Sequence, residues 1–251
     1  MLTLGIAALL AAGPQAVQRL TFEDQPPALP AALARPGKSD RSLTNRAMLM
    51  VQRPIGSWFD GKTKKPIEFA WLYLPEFAFA RLANLEKIEH WHPGELERRW
   101  LRVSRPMRNR IAFFVQLAAA PKFDLLRMKT EGASSVEQIE NCRFMLLVGD
   151  ARLDPVHVES VLESSSSGPS LFENVPWYQF APNGEVFIKE FDAPYSPSEV
   201  EDGAYKLFLF RVDFDLSRAA PLLGTTDQIS LRILSRSKER KAVYRLNSGS
   251  L

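Results

Sequence analysis

The strongest constraint in this sequence is a strict two-residue alternation near its C-terminal end. Phe208, Phe210, Val212, Phe214 and Leu216 share one parity, and Arg211, Asp213 and Asp215 occupy the other. A period of two sends successive side chains to opposite faces of a pleated strand, so the segment reads as half-buried, with its charged face in solvent. The buried face also fixes the strand's register. The pattern recurs upstream: Ile111, Phe113, Val115 and Leu117 form one face, Cys142, Phe144, Leu146 and Val148 another, and Val156 with Val158 begins a shorter one. Downstream, Ile229, Leu231 and Ile233 run toward a polar turn at residues 236–241 and a last strand through Val243, Tyr244, Arg245 and Leu246. Residues 177–180 and 186–191 flank Pro182-Asn183-Gly184, and Asn-Gly supplies the positive φ angles of a tight hairpin. About seven strands, polar turns and almost no helix predict a mainly β chain, with an antiparallel β-sandwich, immunoglobulin-like or jelly-roll, in the C-terminal half.

The N-terminal half reads as irregular and β-rich. A strand is expected at residues 18–22, an extended loop at 24–40 where Pro26, Pro27, Pro30 and Pro36 cluster, and a short strand at 47–51. Ile67, Phe69, Trp71 and Tyr73 share one parity and predict another strand, whereas Phe77, Leu82, Leu85 and Ile88 have the spacing of a helical stripe that Pro93-Gly94 ends. Pro106 interrupts just before the clean alternation starts. The expected organisation is therefore a signal peptide at 1–16, an irregular β-rich region at 17–107 and a sandwich domain at 108–251, with Ser164 to Ser167 in a loop. The apolar run at residues 2–12 falls short of the roughly 20 residues a spanning helix needs and matches the apolar core of a secretory signal. It predicts export to the periplasm or cell envelope, without a transmembrane span.

Several function classes lack their residues. Lys and Arg number 32 against 29 Asp and Glu, a surplus of only three, which argues against a nucleic-acid partner. One cysteine, Cys142, excludes an intramolecular disulfide and a cysteine-built metal centre, and its parity with Phe144 reads as a buried structural thiol. No GxSxG, GxxxxGK[ST] or GxGxxG motif occurs, so neither a serine nucleophile nor a nucleotide cofactor is marked, and no cofactor is expected. Asp213 with Asp215, and Glu199 with Glu201 and Asp202, read as a solvated strand face and a loop. Arg236, Lys238, Arg240 and Lys241 read as a solvated hairpin tip, and the five tryptophans Trp58, Trp71, Trp91, Trp100 and Trp177 as core packing.

One short pattern has metal-ligand character: His90-Trp91-His92 followed, after four intervening residues, by Glu97. On a strand, His90 and His92 would point to the same side, with Glu97 as a carboxylate ligand. This resembles the first metal motif of the cupins, which are also β-barrels. The resemblance covers about eight residues, and Asn84 and Ser104 stand where that family has glycines; His157 lacks the surroundings of the second motif. The sequence thus favours a non-catalytic, exported or envelope-associated binding or scaffold protein, with a protein or carbohydrate partner and no assigned metal. The alternatives are a metal-dependent cupin-like enzyme using His90, His92 and Glu97, and a carbohydrate-binding module presenting tryptophans.

Overall fold

The central element is the strand carrying the alternating phenylalanines, and its neighbours explain most of the architecture. The computed structural model describes residues 16–29, 52–55, 68–119, 124–165, 206–224 and 226–246. In chain order the elements are β1 (Gln52–Pro54), β2 (Phe69–Tyr73), α1 (Pro75–Glu89), α2 (Glu95–Met107), β3 (Arg110–Ala119), α3 (Asp124–Glu131), α4 (Ser135–Glu140), β4 (Arg143–Val148), β5 (Ala151–Leu153), β6 (His157–Ser165), β7 (Lys206–Asp215), α5 (Leu216–Leu223), β8 (Gln228–Leu234) and β9 (Glu239–Arg245). The strands make two antiparallel sheets, one ordered β1-β2-β3-β7-β6 and the other β5-β4-β8-β9. The chain is β-rich with few helices, and none of the described helices is long and apolar enough to cross a membrane.

β3 and β7 pair along their whole length, from Arg110 opposite Asp215 to Ala119 opposite Lys206. Ile111, Phe113, Val115 and Leu117 share a face with Phe214, Val212, Phe210 and Phe208, and that face meets the second sheet. Phe113 contacts Tyr244 of β9 at 5.6 Å between ring centroids, and Phe210 contacts Phe144 of β4 at 5.4 Å. The opposite face is covered as well. Phe114 packs edge-on against Tyr73, which in turn meets Phe77 of α1 and Phe22, and Phe22 stacks on Trp100 of α2. With cover on both sides, β2 and β3 are buried at nearly every position, and each large apolar side chain so enclosed contributes about 1.5–3 kcal/mol.

That double cover corrects the expected solvation of β7. Asp213 is completely buried and Arg211 nearly so, beneath α2. Arg211 donates to the Asp213 carboxylate through Nε at 2.9 Å and Nη2 at 2.7 Å, Arg110 Nη1 adds a third bond at 2.9 Å, and Arg211 Nη2 also approaches Met107 Sδ. Alternating polarity marks a face as charged, and opposite charges two residues apart allow that face to neutralise itself and accept a helix.

The helices depart further from expectation. α1 lies where a helix was expected, with Phe77 and Leu82 of the expected stripe buried; it starts with Pro75 in its first turn and ends at His90 with φ of 51°. α2 was not expected: Pro106 lies in its last turn, and Trp100, Val103 and Met107 form the buried stripe. The boundary expected at residue 108 falls between α2 and β3, and β1 and β2 from before it pair into the sheet of β3 and β7. Residues 16–20 are helical where a strand was expected, with Ala16, Leu20 and the following Phe22 in the core. Val156 and Val158 are exposed, because β6 is an edge strand. β6 continues to Ser165, so Ser164 is paired rather than looped, and β9 begins at Glu239, which removes Arg240 from the expected hairpin tip and buries it. The expected strand at 47–51 and hairpin at 177–191 lie outside the described residues.

Two substitutions on β7 test this arrangement. Phe214→Ala is expected to lower stability by about 3–5 kcal/mol through the cavity it leaves. Asp213→Ala is expected to lower it by a similar ~3–5 kcal/mol, because Arg211 is then buried without its counter-charge. Urea denaturation of both variants checks this; an effect of about 0.5 kcal/mol or less at Asp213 would put that face back in solvent.

Candidate functional site

The second sheet has an inner and an outer face. Phe144, Leu146, Val148, Ile229, Leu231, Ile233, Ala242 and Tyr244 are buried inward. Their neighbours of opposite parity, Met145 and Leu147 on β4, Gln228, Ser230, Arg232 and Leu234 on β8, and Glu239 and Lys241 on β9, face out and line a groove of about 640 Å³. Gly149 and Asp150, in the turn between β4 and β5, close one end with Thr226 and Asp227; the φ of 59° at Gly149 is what that tight turn needs. Arg152 of β5 stands at the margin.

The floor of the groove contains two polar atoms without partners. Ser230 is only 4% exposed, lying between its cross-strand neighbours Leu147 and Val243, and its hydroxyl has no hydrogen-bond partner. Two residues along the same face, Arg232 donates from Nη1 to Glu239 at 2.6 Å, while its Nε is buried and unpartnered. Such groups ordinarily find a partner, since each costs about 1–3 kcal/mol when left without one. Arg152, Arg232 and Lys241 are balanced by Asp150, Asp227 and Glu239 around the groove. The balance suits a neutral polar ligand offering both donors and acceptors, and gives no field for a polyanion.

The residues singled out from sequence occupy other places. His90 is the exposed left-handed cap of α1, His92 lies exposed in the turn after it, and Glu97 is exposed in the first turn of α2. The strand that would align the two imidazoles is absent from this segment. Its engaged carboxylate is Glu95, held below the usual carboxylate range chiefly by its hydrogen bond from Arg99, with Arg98 also paired. His157 stands at the start of β6, 3.5 Å from Glu159. Among the described residues no group of three His, Cys, Asp or Glu side chains is arranged to hold a metal. Asp215 caps α5, accepting from the Ser217 hydroxyl at 2.6 Å and the Ser217 amide at 2.8 Å, and the hydroxyl's hydrogen bond chiefly, with the amide's, holds its pKa down. Burial pushes the half-buried Cys142 thiol up to about 12, so it stays protonated at neutral pH and is a poor nucleophile. Trp71 and Trp100 are buried, and Trp91 stacks under the Arg99 guanidinium at 4.0 Å; Trp58, Trp177, Glu199, Glu201 and Asp202 lie outside the described residues.

No protein-family model, curated protein or solved structure matches this chain. The functional reading therefore rests on the chain's own geometry. Ser230 and Arg232 were not singled out from sequence, although their parity, opposite Ile229, Leu231 and Ile233, already places them on the outer face.

A second concavity, of about 410 Å³, lies between residues 18–28 and the start of α1, with Trp100 at its base and Glu76 in its wall. Glu76 Oε2 is buried without a partner, and desolvation raises its pKa against the pull of its backbone hydrogen bond and Arg19. A folded-state pKa above the unfolded value means the native chain holds this proton to higher pH, so ionisation lowers stability as pH rises. Glu76→Gln is accordingly expected to melt above the parent at neutral pH, with the difference vanishing below the ordinary value of 4.5. Melting temperatures across that range check it; a neutral-pH loss in the variant would contradict the assignment.

Proposed function

We propose that the chain is a non-catalytic binding or scaffold protein, exported or associated with the cell envelope, that carries its ligand on the outer face of the four-stranded sheet. The two sheets are read as the layers of a β-sandwich, a reading supported by the Phe113–Tyr244 and Phe144–Phe210 contacts between them. The partner is a protein segment or a carbohydrate, whose alternating donors and acceptors match those of the groove. The observation that carries this reading is the pair of unpartnered polar atoms on the groove floor, Ser230 Oγ and Arg232 Nε. The raised pKa of the Cys142 thiol and the exposed positions of His90, His92 and Glu97, none of them on a strand, favour binding over catalysis. The apolar run at residues 2–12 supports the envelope address.

Calorimetric titration of the full chain with neutral oligosaccharides and with short extended peptides tests the groove. A saturable ligand is expected, recovered chemically intact, whose affinity falls about tenfold in Ser230→Val or Lys241→Ala while the melting temperature holds. Unchanged affinity in both variants, or conversion of the ligand, would overturn the reading. N-terminal sequencing of the protein from its host tests the address: a processed terminus is expected, and an intact chain confined to the cytosol would remove that part.

A further inference from the structure

Away from the groove, one surface helix is inverted. A helix on a globular protein ordinarily packs an apolar stripe inward and leaves its polar face in water. α3 does the opposite, and none of its residues is buried. Its polar side meets the body: Asp124 accepts from the Ser135 amide at 2.7 Å and from the Ser135 hydroxyl, Glu131 accepts from Gln138 Nε2 and from Ser237 Oγ at 3.2 Å, and Arg127 is half-buried on the same side. Just beyond its end, the Gly132 carbonyl accepts from Arg236 Nη1 at 3.0 Å. At 3.6 residues per turn, Leu125, Leu126, Met128 and Lys129 share the opposite arc, about 160° wide. Leu125, Leu126 and Met128 are 81%, 65% and 54% exposed, the most exposed large apolar side chains among the described residues.

We propose that the outward arc of α3 docks the folded chain on an anionic lipid surface, with Leu125, Leu126 and Met128 entering the boundary between headgroups and acyl chains and Lys129 reaching back to the lipid phosphates. Two observations favour lipid over a second copy of the chain. Lys129 is exposed inside the apolar arc while the two carboxylates of the helix are turned inward, so the face offered outward is apolar and positive. A two-fold pairing of α3 with itself would bring the two Lys129 ammonium groups together, whereas an anionic bilayer complements them. Three side chains also present only a small patch, short of the roughly 800 Å² that each partner buries in a stable protein interface, and a lipid surface requires no matching shape. No residue of α3 lines the sheet groove, so the two surfaces are separate. Such a contact rests on the envelope address proposed above and deepens it; loss of vesicle binding would remove the contact alone, while the address stands or falls with the processing of the N-terminus.

The probes are vesicles of phosphatidylcholine mixed with phosphatidylglycerol and vesicles of phosphatidylcholine alone, each cosedimented with the full chain. Tighter binding to the mixed vesicles is expected. Leu125→Gln together with Leu126→Gln is expected to weaken it about tenfold, and Lys129→Gln about fivefold on the mixed vesicles only. Val158→Gln, which changes an exposed apolar side chain on β6, leaves binding unchanged. The melting temperature of the double variant is expected to hold, because the replaced side chains are in water when the vesicles are absent. Equal binding by the parent and the double variant, or no binding by the parent, would overturn the proposal. So would a fall in the double variant's melting temperature, which would make other residues of the chain the cover, or a concentration-dependent dimer that this variant loses, which would make a second copy the occupant.

Discussion

The structure depends on the buried contact between Glu68 and Arg240. The carboxylate belongs to the approach to β2 and the guanidinium to β9, so one ion pair joins the five-stranded sheet to the four-stranded one. The Ala118 amide brings in the end of β3, and the Tyr244 hydroxyl, bonded to the Ala70 carbonyl at 2.8 Å, repeats the β9-to-β2 link one step along. Two charges taken out of water are held only while both are present, and removal of either from such a pair typically costs about 3–5 kcal/mol. The pair also fixes the sheets in relative register, since β9 can slide against β2 only by separating the charges.

Between that pair and the far end of the molecule, packing is set by the cover on both faces of β3 and β7. One face is aromatic and aliphatic and meets the second sheet. The other mixes Phe114, Gln116 and Ala118 with the Arg211–Asp213 pair and is closed by α1 and α2. The two faces use different chemistry for the same end, which is exclusion of water from strands that are buried on both sides.

This division explains which features were legible in the sequence. The inward parities of β3, β4, β7 and β8 were readable because phenylalanine, valine, isoleucine and leucine at a period of two have one physical meaning. Asp213 was not, because a charge reads as exposed until its counter-charge and the helix above it are known. Arg240 failed for the same reason: its partner Glu68 lies far away in sequence, and no local pattern joins them. α2 was obscured by Pro106 and by its many arginines, although Leu96, Trp100, Val103 and Met107 trace one side of it. The sites divide similarly. His90, His92 and Glu97 form a pattern whose meaning requires a strand, and the segment ends one helix and begins another. Ser230 and Arg232 carry no motif and become notable only as polar atoms buried without partners.

The chain threads between its two sheets more than once. β3 is followed by β4 and β5 in the other sheet, then by β6 and β7 back in the first, and finally by β8 and β9 in the second. The longest pairing, between β3 and β7, closes residues about a hundred positions apart in the chain. Strands of one sheet are separated in the chain by strands of the other, so loop-closure entropy is lost before many of the contacts that compensate for it are made. Topologies of this kind fold on the order of milliseconds to seconds rather than microseconds. During that interval the edges of β3 and β4 are open to other chains, and the order in which the strands are captured governs how much of the protein reaches its native state.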